Sequence, residues 1–294
     1  LGLASGNDVA AFLTPTLAEL PPLLWGAQAA GAASSINYLL SQEAIFDLLD
    51  AEKASLLVIP ARHIDEMCWM KALGALDAVP SLRQVIVIGG ETEQQKGFVT
   101  LEDAIAGCSG DALSFEATAD RDAICALFHT GGTTGRPKLV RLTHGNHIHA
   151  AFGFAQVFGY DQGDTVINGF PFFHVGGTMT VGLSVLAAGG HVVVPSPYGM
   201  RLPAVVGRYW EIVERHRATV VGGVPTTIGA ITNSWKPGTD VSRIRMAVTG
   251  GALLPGAVGS RFTRTTGIDL YETYGMTETA AAIAFNPGHG TPVA

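Results

Sequence analysis

A loop near the middle of the chain combines the residue types that bind phosphate. It reads His129-Thr130-Gly131-Gly132-Thr133-Thr134-Gly135-Arg136-Pro137-Lys138. Glycines let backbone N–H groups converge on an anion, threonine hydroxyls add donors, and the Lys138 ammonium adds positive charge. The loop differs from a Walker A loop, in which Gly-Lys-Ser/Thr enters a helix, because Pro137 precedes Lys138 and a strand-like segment, 139–142, follows. The residue types indicate a phosphate-binding loop; a flexible surface loop without a ligand is the alternative.

Two further segments with polar ends follow apolar runs. The first, Phe170-Pro171-Phe172-Phe173-His174, is by itself typical of a buried aromatic turn with a hydrogen-bonded histidine. The second is Tyr271-Glu272-Thr273-Tyr274-Gly275-Met276-Thr277-Glu278. Here an aromatic ring can stack on a purine, Gly275 allows close backbone approach, and Thr277 can donate to a phosphate oxygen. Glu278 offers the hard oxygen ligand that suits Mg²⁺ bridging phosphates. An ordinary strand and turn is the alternative interpretation.

Short β-branched runs alternate with amphipathic segments, which predicts an α/β fold with mostly parallel sheets flanked by helices. Strands are predicted at residues 9–13, 55–59, 85–88, 124–128, 165–169, 192–194, 219–223, 245–249 and 268–271. Helices are predicted at residues 16–30, 42–54, 62–78, 146–158, 178–188, 203–216, 226–231 and 255–266. We expect Pro21 and Pro22 to delay the start of the first helix and Ser41 to cap the second.

A polar and less periodic stretch, residues 89–121, divides the alternating pattern. We therefore expect a first α/β subdomain at residues 1–120 and a second at residues 121–294. Ligands of open parallel sheets bind beyond the carboxyl ends of the strands. The chemistry is expected in the loops that follow Phe128, Gly169, Gly223, Thr249 and Tyr271.

The composition argues against several classes of protein. The chain has 294 residues, of which 47% are hydrophobic and 15% charged, so it has ample apolar surface to bury. Its formal net charge is −7 and its basic residues form no run, which argues against nucleic-acid binding. The most apolar window is too short and too interrupted for a transmembrane segment. Three cysteines make a disulfide framework unlikely and favour a reducing compartment, hence a cytoplasmic protein.

The loop at residues 130–138 resembles the signature loop of the adenylate-forming superfamily, which includes acyl- and aryl-CoA synthetases, luciferases and peptide-synthetase adenylation domains. The usual form is Thr-Ser-Gly-Thr-Thr-Gly-x-Pro-Lys-Gly, and this chain departs from it at Gly131 and Leu139. The segment ending in His174 resembles the second signature of the superfamily, and residues 274–278 resemble its Tyr-Gly-x-Thr-Glu signature. Weaker similarities lie at residues 249–252 and 224–226. The matches occur in the order found in the superfamily.

The resemblance implies the N-terminal-domain fold of acetyl-CoA synthetase, in part, and a two-step ligase reaction with ATP, Mg²⁺ and coenzyme A. A carboxylate attacks the α-phosphate of ATP to give an acyl-adenylate and pyrophosphate, and coenzyme A then displaces AMP. Catalytic residues are implied at Lys138, His174, Thr277 and Glu278, with Glu278 as the Mg²⁺ ligand. Nucleotide-binding residues are implied at Thr130, Gly131, Gly132, Thr133, Thr134, Gly135, Gly250, Gly251, Ala252, Glu272, Thr273, Tyr274, Gly275 and Met276.

The substrate is predicted to be a small-molecule carboxylate. Amino-acid-activating members of the superfamily place an aspartate just after the aromatic signature, and residues 175–179 contain no acid, which favours a fatty acid or an aryl acid. An acyl-CoA synthetase of fatty acid metabolism is the first expectation. The alternatives are an aryl-CoA ligase, an amino-acid adenylation domain, and a non-catalytic ATP/AMP-binding module. We also expect the small C-terminal domain of the superfamily, with its catalytic lysine, to be missing from these 294 residues.

Overall fold

Two separate sheets organise the chain in the computed structural model, which describes residues 8–113, 115, 120–130 and 138–285. The chain divides into two compact units, Leu1–Gly145 and Asn146–Ala294, with one sheet in each. Alternating strands and helices build both units, as the sequence predicts. The subdomain boundary expected at residues 120 and 121 stays a prediction. The strands Ile124–Thr130 and Lys138–Thr143, which follow that point in the chain, belong to the first sheet.

The first sheet has seven strands in the order β5-β4-β3-β1-β2-β6-β7, and every neighbouring pair is parallel except β6 and β7. The strands are β1 (Val9–Phe12), β2 (Ala32–Ser35), β3 (Ala54–Pro60), β4 (Gln84–Ile88), β5 (Phe98–Thr100), β6 (Ile124–Thr130) and β7 (Lys138–Thr143). The helices of this unit are α1 (Leu20–Ala30), α2 (Gln42–Ala51), α3 (Glu66–Ala72), α4 (Ala75–Ala78) and α5 (Leu101–Ile105). A further helix, α6 (His144–Phe158), leads into the second unit.

Local chemistry sets the helix boundaries of the first unit. Pro21 and Pro22 occupy the first turn of α1, so the helix begins at Leu20 rather than at residue 16. The hydroxyl of Ser41 accepts a hydrogen bond from the Ala44 backbone N–H and caps α2 as predicted. The single helix predicted at residues 62–78 is wrong, because Asp65 caps a later start and Gly74, with a φ of 81°, separates α3 from α4.

The second sheet has six strands in the order β13-β12-β11-β10-β8-β9, all parallel except for the pair β12 and β13. The strands are β8 (Thr165–Ile167), β9 (His191–Val193), β10 (Val220–Gly223), β11 (Met246–Gly250), β12 (Leu270–Met276) and β13 (Ala281–Phe285). The helices are α7 (Ser184–Ala187), α8 (Pro203–Gly207), α9 (Tyr209–His216), α10 (Pro225–Asn233) and α11 (Gly256–Thr266). A π-helix, Gly176–Leu183, precedes α7, and the predicted helix at residues 203–216 is interrupted at Arg208.

An ion pair between the buried Asp164 carboxylate and the exposed Arg245 side chain holds the amino-terminal side of the second sheet. Arg245 donates from Nε and Nη2 to the Asp164 carboxylate at 3.0 and 2.9 Å, and from Nη1 to the Phe158 carbonyl at 2.7 Å. Burial alone would raise the pKa of Asp164, but the hydrogen bonds from Arg245 and Thr219 hold it below its ordinary value. The pair therefore fastens the end of α6 to the strands beside it.

No helix among the described residues is long and apolar enough to cross a membrane.

The first unit buries a carboxyl group in an unfavourable setting. Glu52 follows α2, is only 6% exposed, and accepts a hydrogen bond from the Ser34 hydroxyl on β2 at 2.6 Å. Its other oxygen, Oε1, has no hydrogen-bond partner among the described residues. Burial is the main cause and raises the pKa of Glu52 to about 8, against a smaller opposing effect of the Ser34 hydrogen bond. Glu52 is therefore mostly a neutral acid at pH 7.

This ionisation makes stability depend on pH. Between the ordinary pKa of 4.5 and about 8, the folded chain keeps a proton that the unfolded chain has lost, so the free energy of unfolding falls as the pH rises. The slope from this group is at most about 1.4 kcal/mol per pH unit. We expect Glu52→Gln to remove this pH dependence. In urea denaturation, the free energy of unfolding of the variant relative to that of the wild type should therefore rise from pH 5 to pH 9. Glu43→Gln, at an exposed acid in the first turn of α2, is the control and should leave the wild-type slope.

Candidate functional site

The carboxyl ends of four adjacent parallel strands share one edge of the second sheet. In the order β12, β11, β10 and β8, their ends lie next to one another, which is the position where open α/β sheets bind ligands. The predicted site residues of this unit follow these ends: residues 250–252 after β11, residues 272–278 at the end of β12, and His174 after β8. Sheet topology therefore brings to one edge segments that are about one hundred residues apart in sequence.

Glycines let the backbones at this edge approach one another closely. A Cβ at Gly169 would lie 2.7 Å from the carbonyl oxygen of Gly222, and a Cβ at Gly250 would lie 2.9 Å from that of Thr273. Real side chains do not reach such distances to backbone atoms. At Gly222 itself, a Cβ would overlap the carbonyl of Val248. The strand ends therefore form a continuous backbone surface that only glycine permits.

The end of β12 carries an exposed aromatic side chain among the predicted nucleotide-binding residues. Tyr274 is 64% exposed, and the backbone of Gly275 packs so closely on β13 that a Cβ would overlap the Ala281 carbonyl. A 3₁₀ turn, Thr277–Thr279, follows, with Thr277 buried and Glu278 exposed. The exposed ring offers a stacking surface, and the Glu278 carboxylate has no ion-pair partner among the described residues. This end of β12 therefore presents an aromatic face and a free carboxylate.

Glu272 has a role in holding the neighbouring turn. Its Oε1 accepts a hydrogen bond from the Leu254 backbone N–H at 2.9 Å, which ties β12 to the turn containing Gly251 and Ala252. Gly251 has a φ of 80°. A Cβ added at Gly251 would lie 3.6 Å from the side chain of Val224, which follows β10. The carboxylate thus positions the turn after β11. Its predicted contact with a nucleotide stays a prediction.

An unpaired hydroxyl lies just below this turn. Thr249 is fully buried, and its Oγ1 has no hydrogen-bond partner among the described residues. Buried polar atoms are normally paired, so an unpaired one at a strand end beside a glycine turn is a feature of interest. The sequence analysis did not single out this side chain, because threonine in a strand is ordinary.

His174 lies in a tightly bonded turn after β8. Its Nδ1 accepts a hydrogen bond from the Gly176 backbone N–H at 3.0 Å, so a neutral ring carries its proton on Nε2. Although the residue is exposed, the surrounding protein removes water from the ring, and this burial lowers the pKa of His174 below its ordinary value. The ring is therefore neutral at pH 7 and presents one N–H donor. Asn168, which the sequence analysis missed, is bonded to both ends of this turn.

An apolar cavity of about 630 Å³ adjoins Glu278. It lies between α6 and β13, and all of its lining residues belong to the second unit. Its lining is mostly small or aromatic, with Gly153 and Phe154 on the helix and Phe285 on the strand. The remaining lining residues are Asn146, His149, Ala150, Val157, Thr279, Ala280, Ala282, Ile283 and Ala284. An apolar ligand in this cavity would have one end close to the Glu278 turn.

The predicted phosphate-binding loop belongs to the first unit. Thr130 ends β6 and Lys138 begins β7, and the two residues pair across the antiparallel ladder. The strands therefore hold the two ends of the loop together, and the Lys138 side chain is exposed. Gly131, Gly132, Thr133, Thr134 and Gly135 lie outside the described residues, so their predicted roles stay predictions. That this loop and the Glu278 turn contribute to one nucleotide site also stays a prediction.

We expect Gly275→Ala to destabilise the chain because the added methyl group would overlap the β13 backbone. Overpacking of this kind costs about 1–3 kcal/mol. The free energy of unfolding by urea measures it. Gly229→Ala in α10 is the control: its Cβ meets one neighbour, at 4.0 Å, so a stability equal to or above wild type is expected. A Gly275→Ala variant as stable as the wild type would contradict the close approach.

Comparison with known proteins identifies the family of this chain. A family model described as AMP-binding enzyme matches residues 1–293. The chain is 28% identical, over 99% of its length, to marinolic acid–CoA ligase from Pseudoalteromonas sp. (strain SANK 73390). It is 30% identical, over 97% of its length, to sulfoacetate–CoA ligase from Cupriavidus necator. It covers 44% and 52% of these two proteins, so the chain spans about half the length of the relatives it matches.

Solved structures show the same fold. The structure of the anthranilate CoA ligase AuaEII in complex with anthranoyl-AMP superposes with a TM-score of 0.81 at 23% identity, over 95% of this chain and 52% of that one. ATP-bound MatB from Rhodopseudomonas palustris superposes with a TM-score of 0.78 at 24% identity, over 99% of this chain and 54% of that one. At these identities the likeness establishes the fold.

Proposed function

The chain belongs to the AMP-binding enzyme family, within the adenylate-forming superfamily, and from this we propose that it forms the nucleotide- and carboxylate-binding part of an ATP-dependent acid–CoA ligase. The observation that carries the proposal is the shared strand edge with an exposed Tyr274, a Glu278 carboxylate that has no ion-pair partner within the described part of the chain, and an apolar cavity next to Glu278. A nucleotide has an aromatic base and a polyphosphate, and an organic acid has an apolar body and a charged end. The edge and the cavity offer a matching surface for each part.

The proposed reaction has two transfers. A carboxylate oxygen of the substrate attacks the α-phosphorus of ATP, the bond from that phosphorus to the bridging oxygen breaks, and pyrophosphate leaves. The sulfur of coenzyme A then attacks the acyl carbon, the bond to the AMP oxygen breaks, and the thiol proton passes to solvent. The first transfer brings two anions together, so its barrier depends on positive charge and hydrogen-bond donors around the phosphates.

The residues of this chain supply those groups in our proposal. Tyr274 stacks on the adenine, and Thr277 donates to the α-phosphate. Lys138 and the glycine-rich loop before it neutralise the phosphates. His174, neutral at pH 7 with its proton on Nε2, donates to the substrate carboxylate and holds it for attack. Each role requires a donor or an apolar face, and none requires these side chains to change charge.

We propose that Glu278 is the residue that would hold the magnesium ion of the proposed mechanism. The residue is exposed at the edge, and among the described residues no group of three or more His, Cys, Asp or Glu side chains could hold a metal by itself. Mg²⁺ in nucleotide sites commonly takes one carboxylate and completes its shell with phosphate oxygens and water. When bound there, the ion would offset the negative charge of the phosphates. Glu278 would hold it beside them.

The cavity supports a substrate with an apolar body. We propose a fatty or aryl acid, because the cavity is lined mainly by alanine, glycine, isoleucine and phenylalanine, and Glu278 is the single acid in its lining. An α-amino acid would leave its ammonium group beside apolar side chains, which is costly. Relatives named as ligases of sulfoacetate and of marinolic acid show that carboxylates of different kinds occur in this family. The three free cysteines fit a reducing cytoplasm, where we place the protein.

Glu278→Gln should lower the ATP-dependent exchange of pyrophosphate at least about tenfold in the complete gene product that carries this sequence, because the neutral amide is a weaker Mg²⁺ ligand. Calorimetric titration of the same variant with Mg-ATP should show weaker binding, and titration with AMP alone should be unchanged. Glu43→Gln is the matched control in the first unit and should leave both measurements unaltered. Exchange at the wild-type rate in Glu278→Gln would refute the role of this carboxylate. Nucleotide binding without any exchange in the wild type would instead favour the non-catalytic ATP/AMP-binding module.

Gly153→Leu should change the substrate range. A Cβ at Gly153 meets no atom within 4 Å, and the residue lines the cavity, so we expect the larger side chain to take up space there. We expect the KM for long-chain or aryl acids to rise at least about tenfold and the KM for acetate or propionate to stay near wild type. Gly26→Leu in α1, also with open space at its Cβ, is the control and should leave all KM values unchanged. An equal rise in KM for short and long acids would indicate that the acid binds outside this cavity.

A further inference from the structure

A buried asparagine ends β8 and fastens the turn that carries His174. Asn168 is 1% exposed, and its backbone N–H donates to the Val193 carbonyl of β9 at 2.9 Å. Its side-chain oxygen accepts a hydrogen bond from the Phe170 backbone N–H at 3.0 Å. Its side-chain amide donates to the Gly177 carbonyl at 2.9 Å. One carboxamide therefore binds the beginning and the end of the same turn, and the sheet holds that carboxamide in place.

The turn between these two bonds is closed by its own backbone. The His174 N–H donates to the Pro171 carbonyl at 3.2 Å, and the His174 carbonyl accepts from the N–H groups of Gly177 and Thr178 at 3.0 and 3.2 Å. A Cβ at Gly177 would overlap the Pro171 backbone. The segment is thus folded tightly on itself. Its orientation relative to the sheet depends on how its ends are attached.

An unusual helix begins where the turn ends. Residues Gly176–Leu183 form a π-helix, a conformation that is rare and is found mainly at functional sites. Its first residue, Gly176, supplies the N–H that binds Nδ1 of His174. The Gly177 carbonyl, in the first turn of this helix, is the group that Asn168 binds. Asn168 is therefore connected to the ring of His174 in three steps. They are its hydrogen bond to the Gly177 carbonyl, the backbone from Gly177 to Gly176, and the hydrogen bond from the Gly176 N–H to Nδ1 of the ring.

We infer that Asn168 is a positioning residue for His174: by binding Phe170 and Gly177 it fixes the direction in which the imidazole Nε2–H points. Asn168 has no contact with the edge at β11 and β12 among the bonds described, so it acts through the turn. The catalytic part of this inference rests on the proposed function, in which His174 donates a hydrogen bond to the substrate carboxylate. A smaller side chain at residue 168 would free both ends of the turn, so that the surrounding protein would exclude less water from the ring.

Asn168→Ala in the complete gene product tests the inference. Titration of the His174 ring by NMR should show its pKa moving upward toward the ordinary value, and the Gly176 amide resonance should shift as its hydrogen bond weakens. In kinetics, kcat/KM for the carboxylate should fall at least about tenfold, and KM for ATP should stay within about twofold, because the nucleotide edge is built by β11 and β12. A general loss of stability would move neither NMR signal selectively.

Asn168→Asp is the conservative variant and decides the matter if the alanine variant does not fold. Its neutral acid form has the shape of asparagine, accepts from Phe170 and donates to Gly177, whereas its ionised form loses the second bond. Compared with the wild type at the same pH, we expect unchanged Gly176 and His174 signals at low pH and altered signals at high pH, where the bond to Gly177 is lost. Thr232→Val is the control for stability, since it removes a buried hydrogen bond at 2.6 Å within α10, and it should leave both signals unchanged.

The possible outcomes separate the two proposals. Folded Asn168 variants with wild-type His174 and Gly176 signals would overturn the positioning role. Altered signals together with reduced carboxylate kcat/KM would support it. Altered signals in the Asn168 variants, combined with normal adenylation in His174→Ala, would uphold the positioning of the ring and refute the proposed function of His174.

Discussion

The contact of backbone against backbone at the carboxyl edge of the second sheet is the constraint on which the site depends. Gly169 lies against Gly222, Gly222 against Val248, and Gly250 against Thr273, and in each case a methyl group would come too close to a carbonyl. Strand ends held at this separation cannot slide independently. The side chains that follow them therefore inherit fixed positions, which is what orientation of two substrates requires.

Charge is arranged at this edge with little compensation from the protein. Glu278 is exposed and has no ion-pair partner among the described residues, and burial keeps His174 neutral near pH 7. The ion pair of Asp164 and Arg245, by contrast, lies at the amino-terminal side of the strands, where it fastens α6. The fold thus satisfies its structural charges away from the edge and leaves the edge able to interact with charged ligands.

The sequence predicted most of the elements because their signals are local. Alternation of apolar periods, the Ser41 cap and the double proline of α1 each act within one or two turns of chain. The missed strands β2 and β13 show the limit of such signals. The strand β2 is Ala-Ala-Ser-Ser, whose small residues have no strand preference but fit between β1 and β6, and β13 is recruited by pairing with β12. The breaks at Gly74 and Arg208 were missed because amphipathic periodicity continues across them.

The motifs at residues 130–138, 170–174 and 271–278 by themselves determined the superfamily, since their residue types and order suffice for that and need no contact across the chain. Only the tertiary structure decided which strand ends are neighbours, that Glu272 binds the Leu254 backbone, and that Asn168 closes the His174 turn. Strand order and hydrogen-bond partners depend on contacts between residues far apart in sequence. An asparagine bonded to two backbone groups looks, in the sequence, the same as an asparagine in water.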